Sequence, residues 1–308
     1  MKLVYVWLRE LQTLYMEGSS AVLVVLMQDL LNLRELNIEN YEGLQEVFKL
    51  EGLLTREGEQ QNMVLIELKK MKLCNLLELR CIWKGPTQLI NLKNLQNLKV
   101  FGCKKLIHLF TPTLARSLQN LTLLKIKRCD KLEHLIVEDE EDQILSERHL
   151  QTLCFPNLCF LNVTKCNKLK FLFPVMIAHN LLKLSSLNVE DASQLVEVFA
   201  HEDEGDKSVQ KDITLPKLKD VTLKQLPSLL NFFPRNCNVI LPRLHKLQVQ
   251  SCPNMTKSFA PTPDKNVHVN GEVTHYTWSF YFFLIYLLCV TWRKYVIQVL
   301  ILTSNRIV

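Results

Sequence analysis

The sequence predicts an α/β repeat solenoid, with short parallel strands on its concave face and short helices or loops on its convex face. Three observations predict it. One leucine spacing recurs eight times along the chain. The segments between its copies carry helix-start signals. Glycine, at 8 in 308 residues, is scarce for an all-β fold built on tight hairpin turns.

The spacing is clearest at residues 118–137, LQNLTLLKIKRCDKLEHLIV. Apolar side chains fall at Leu121, Leu124, Ile126, Leu132 and Leu135, with Cys129 between them. This fits neither a helix period nor a long strand alternation. Other copies begin at Leu33, Leu68, Leu95, Leu158, Leu184, Leu218 and Leu244, so that successive copies lie 26 to 37 residues apart. The pattern L-x-x-L-x-L-x-x-C/N-x-x-L is that of the leucine-rich repeat. Its L-x-L core is a short strand with leucines inward and the intervening residues outward. A single repeat cannot bury its leucines, but stacked repeats share one core.

The position after each strand turns the chain inward, where a small buried side chain with a weak donor fits. Cys103, Cys129, Cys166 and Cys252 occupy it, and Tyr41, Leu76, Ala192 and Leu226 replace them in the other copies. These cysteines are expected to pack rather than react. The ten cysteines include no CxxC and no Cys/His ligand box, and no secretory signal precedes them. That usage points to reduced thiols in the cytoplasm.

Return segments complete each repeat. FTPTLARSLQNL (110–121) and FPVMIAHNLLKL (173–184) place proline at a first turn and helix formers after it, predicting short helices. The longer gaps hold the charged insertions VEDEEDQILSERH (137–149) and HEDEGDKSVQKD (201–212), expected as solvated loops. The domain reading is a degenerate repeat or cap at 1–32, an array of about eight repeats at 33–259, a linker at 260–272 and a hydrophobic tail at 273–308. Within the tail, VTHYTWSFYFFLIYLLCVTW (273–292) has the length of a membrane span, with Trp278 and Trp292 near its ends. Three readings stay open for it: a membrane anchor, a cap on the last repeat, and translated sequence beyond the natural end.

Outward strand residues line the concave face of such a solenoid. Lys70, Lys72, Lys99, Lys125 and Lys127 gather there beside the aromatics Phe101 and Phe160. With strands about 4.8 Å apart they are expected to form one basic patch suited to an acidic protein surface or an acidic loop of the chain itself. The net charge of +6 is mild, arginine is rare on this face, and no nucleic-acid recognition motif is present, which disfavours nucleic acid. The eight histidines form no H-x-x-x-H or H-E-x-x-H box, and there is no G-x-S-x-G, so neither an enzyme nor a cofactor or metal site is expected.

The runs LELRCIWKGPTQ (77–88), GCKKLIHLFTPTLARSLQNL (102–121) and CDKLEHLIVEDEED (129–142) resemble the C-terminal leucine-rich repeats of plant coiled-coil, nucleotide-binding, leucine-rich repeat disease-resistance proteins. The resemblance covers about residues 20–260. It implies recognition of pathogen effectors or of modified host proteins, or contact with the receptor's own signalling domain. The chain lacks a G-x-x-x-x-G-K-[ST] phosphate loop, so nucleotide switching does not carry over, and a truncated relative is expected. Alternative readings are a non-signalling adaptor, for instance one delivering substrates to a ubiquitin ligase, and a repeat protein anchored to a membrane through 273–292.

Overall fold

The computed structural model describes residues 12–19, 32–49, 67–85, 87, 90–137, 154–200, 211–234 and 237–255. The linker 260–272, the tail span 273–292 and most of the insertions 137–149 and 201–212 lie outside the described residues. The chain divides into two compact units between Leu158 and Cys159.

In the first unit, strands β1 (Thr13–Ser19), β2 (Glu35–Glu42), β4 (Lys70–Cys74), β6 (Asn97–Phe101) and β7 (Leu123–Lys127) pair in that order, all in parallel. In the second, β8 (Phe160–Thr164), β10 (Ser186–Glu190), β13 (Asp220–Lys224) and β15 (Lys246–Gln250) do the same. The register follows the leucine pattern. Leu36, Met71, Leu98 and Leu124 align across the first unit, as do Ile38, Leu73, Val100 and Ile126. All eight are buried, and the residues between them reach the surface. Each buried leucine or isoleucine contributes roughly 1.5–3 kcal/mol of transfer free energy, so stacking supplies the stability that one repeat lacks.

A left-handed residue follows the inward pair of side chains in eight of the described repeat strands. Asn40, Asn75, Gly102, Arg128, Lys165, Asp191, Gln225 and Ser251 all have φ between 51° and 66°, and each lies two residues beyond the second inward side chain of its repeat. The turn redirects the chain while prolonging the ladder. The amide N–H of Asn75 donates to the Phe101 carbonyl at 2.7 Å, and that of Gly102 to the Lys127 carbonyl at 2.7 Å. In the second unit Asp191 donates to Lys224 at 3.0 Å, and Gln225 to Gln250 at 2.8 Å.

The return segments are more extended than the sequence predicts. Helix α1 (Pro112–Ser117) matches its expectation: Pro112 opens it, and the Thr111 hydroxyl accepts from the Leu114 amide at 3.4 Å. The second helix, α2 (Val175–Ala178), has only four residues and follows the two-residue strand β9 (Phe173–Pro174). Second strands pair in parallel elsewhere: β3 (Glu46–Lys49) with β5 (Cys81–Lys84), β9 with β11 (Phe199–Ala200), and β12 (Lys211–Thr214) with β14 (Cys237–Ile240). Lys211 and Asp212, expected in a solvated loop, therefore begin a strand, because Ile213 behind them is buried. Aromatic rings stack beside two of these pairs. Phe48 and Trp83 stack with centroids 4.7 Å apart, and Phe199 and Phe233 stack at 4.5 Å.

Candidate interaction surface

The outward strand residues of the first unit form rows across the sheet. The middle row runs Tyr15, Asn37, Lys72, Lys99 and Lys125, and one flanking row runs Glu35, Lys70, Asn97 and Leu123. The other flanking row contains Glu39, Cys74, Phe101 and Lys127. Strand register thus brings together six of the seven residues expected in the basic patch. Phe160 lies on β8 in the second unit, where it is 51% exposed. Phe101, expected as an exposed aromatic, is half-buried between Cys74 and Lys127.

The five lysines are electrostatically unequal. Lys70 Nζ donates to Glu35 Oε1 at 2.7 Å, and Lys72 Nζ to Glu39 Oε1 at 2.5 Å. The hydrogen bond from Lys72, helped by one from Asn37, holds the Glu39 carboxyl below its ordinary value. The same bond from Glu39 raises Lys72. Burial pushes the neighbouring Cys74 thiol up. Lys99, Lys125 and Lys127 make no ion pair among the described residues. Instead, Lys125 Nζ lies 6.0 Å from the centroid of the Phe101 ring, within cation–π range. The sequence missed the two ion pairs, although aligning the repeats would have placed Glu35 directly opposite Lys70.

In the second unit the middle row is uncharged, running Asn162, Asn188, Thr222 and Gln248. The row beside it pairs Glu190 loosely with Lys224, at 3.9 Å.

All four repeat-position cysteines are buried. Each donates back to the backbone of its own turn: Cys103 to the Phe101 carbonyl at 3.6 Å, Cys129 to Lys127 at 3.6 Å, Cys166 to Thr164 at 3.6 Å and Cys252 to Gln250 at 3.4 Å. Cys129 also reaches the Val100 carbonyl of the preceding repeat, at 3.9 Å. Burial pushes the Cys252 thiol up to about 11. Among the described residues, no three His, Cys, Asp or Glu side chains converge as a metal site would require. Nor is any described helix long and apolar enough to cross a membrane.

Parallel strands with inward leucines, a left-handed turn after each and a small buried residue beyond it define a leucine-rich repeat protein. The chain belongs to the family described as plant disease resistance protein RPS2-like, leucine-rich repeats, which matches it twice, over residues 2–130 and 131–268. No curated protein matches the sequence closely. Leucine-rich repeats of this family are protein–protein recognition modules.

Proposed function

We propose that this chain acts in plant defence, recognising a pathogen effector, a guarded host protein or the signalling domain of a longer receptor. The membership of both halves in a disease-resistance repeat family is the observation that carries this reading. The recognition surface is formed by outward strand residues: Lys99, Phe101, Lys125 and Lys127 on the first unit, beside the ion-paired Lys70 and Lys72, and Phe160 with the amide row on the second. Rigid strands fix the spacing of these side chains before a partner arrives, which lowers the ordering cost of binding. The place of action is the cytoplasm. Nine described cysteines are thiols rather than disulfide halves, which supports a reducing compartment.

The test is disruption of the gene in its plant, followed by challenge with a panel of pathogens. The reading expects altered growth of at least one pathogen and restoration by the wild-type chain. Unchanged growth across the panel would overturn it.

A further inference from the structure

We propose that Lys99, Lys125 and Lys127, set around Phe101, form a docking site for an acidic polypeptide segment, and that Lys70 and Lys72 take no part in it. The proposal rests on the recognition role above and names the partner's chemistry. Lys70 and Lys72 are already neutralised by Glu35 and Glu39 on the adjacent strand. Lys99 and Lys125 are direct register partners on β6 and β7, and Lys127 is the register partner of Phe101. Strand spacing holds the Lys99 and Lys125 backbones about 4.8 Å apart, Lys127 follows two residues along β7, and among the described residues no carboxylate pairs with the three.

All three lysines are half-buried, so their mutual repulsion is screened less than that of fully exposed charges. A segment bringing two or more carboxylates relieves that repulsion. The Phe101 ring holds the tip of Lys125 in place and, with Leu123 on the same face, offers apolar contact beside the charge. A polypeptide carries both acidic and apolar side chains and matches this mixture. A nucleic-acid backbone matches it less well, since the described outward positions of these strands hold no arginine fork for phosphate.

The test titrates the full chain into a fluorescently labelled hexaglutamate peptide and follows anisotropy at low salt, with hexaserine as the neutral comparison. Lys99→Gln with Lys125→Gln is expected to weaken hexaglutamate binding by about tenfold. Lys93→Gln with Lys104→Gln removes the same charge at exposed positions off the strands and is expected to change binding by no more than about twofold. Removing the neutral pair, by Glu35→Gln with Lys70→Gln, is expected to be similarly mild. Circular dichroism confirms that each variant is folded. Hexaglutamate binding no tighter than hexaserine, or equal losses in both double-lysine variants, overturns the proposal. That outcome leaves the defence role standing, since pathogen growth tests it separately. Unchanged pathogen growth with selective peptide binding would remove the defence role and keep the site.

Discussion

Asn75 donates through Nδ2 to Asn40 Oδ1 at 2.8 Å, joining the left-handed turns of two successive repeats. In the next repeat the equivalent residue is Gly102, and a Cβ there would lie 2.5 Å from Asn75 Oδ1. Glycine leaves room for the carboxamide to stay in place, and its φ of +66° costs it nothing.

Gly102→Ala is therefore expected to push the Asn75 carboxamide aside, weaken its bond to Asn40 and place an alanine in the left-handed region. The loss in stability should be about 1–2 kcal/mol, read as a lower urea midpoint. An unchanged midpoint would mean that the turns are not coupled through this contact.

The strand register makes a sharper prediction. Leu124 is fully buried between Leu98 and the rest of the stacked core. Leu124→Asp places a carboxylate in that core and is expected to abolish the cooperative unfolding transition of the first unit, at a cost of several kcal/mol. The adjacent Lys125→Ala should leave the transition within about 0.5 kcal/mol, because its side chain points outward. Circular dichroism during thermal melting separates the two.

These expectations show what the sequence made legible. Leu124, Ile126 and Cys129 were placed correctly from spacing alone, because inward strand positions accept few residue types. Helix α1 was legible through Pro112 and the residues after it. The left-handed turns were harder to foresee. Asn40, Asn75 and Gly102 suit that conformation, but Arg128, Lys165 and Gln225 have little intrinsic preference for it, and the amides of Lys165 and Gln225 are held there by ladder hydrogen bonds to Glu190 and Gln250 of the next repeat. The division of the lysines into paired and ion-pair-free sets was hidden for a related reason. The strands that bring Lys70 to Glu35 are separated by an insertion, so the pair depends on register rather than local sequence. Strand β12 was concealed by the charged stretch before it.

The buried cysteines predict slow alkylation. The Cys154 and Cys252 thiols are pushed by burial from an ordinary value of 9.0 to about 11. Near pH 8 the folded chain should carry roughly 100-fold less thiolate at these sites than the unfolded chain, before shielding is counted. Iodoacetamide labelling with mass spectrometry, with and without urea, measures the ratio. The sign for stability follows. Above pH 9 the unfolded thiols ionise while the folded ones stay neutral, so stability falls as pH rises from about 9 to about 11 and stays lowered above that. Equal labelling rates in both states would contradict this packing.

The Glu39–Lys72 pair has its own pH window. Glu39 is lowered from an ordinary value of 4.5, so its contribution is present above 4.5 and fades as pH falls through the lower folded value. Lys72 is raised from 10.5, so its contribution is present below 10.5 and fades as pH rises through the higher folded value. Glu39→Gln should therefore lower stability slightly at pH 7 and have no effect near pH 2, by urea denaturation at both values. An equal loss at both would show that the pair contributes nothing through charge.

The account's central claim is that recognition runs through the outward strand residues. Complementation tests it most directly, with a Lys99→Glu, Lys125→Glu chain returned to plants that lack the protein, after circular dichroism has shown the variant to be folded. The account predicts a folded protein that fails to restore the wild-type response to the affected pathogen. A folded variant that restores the response in full would contradict it.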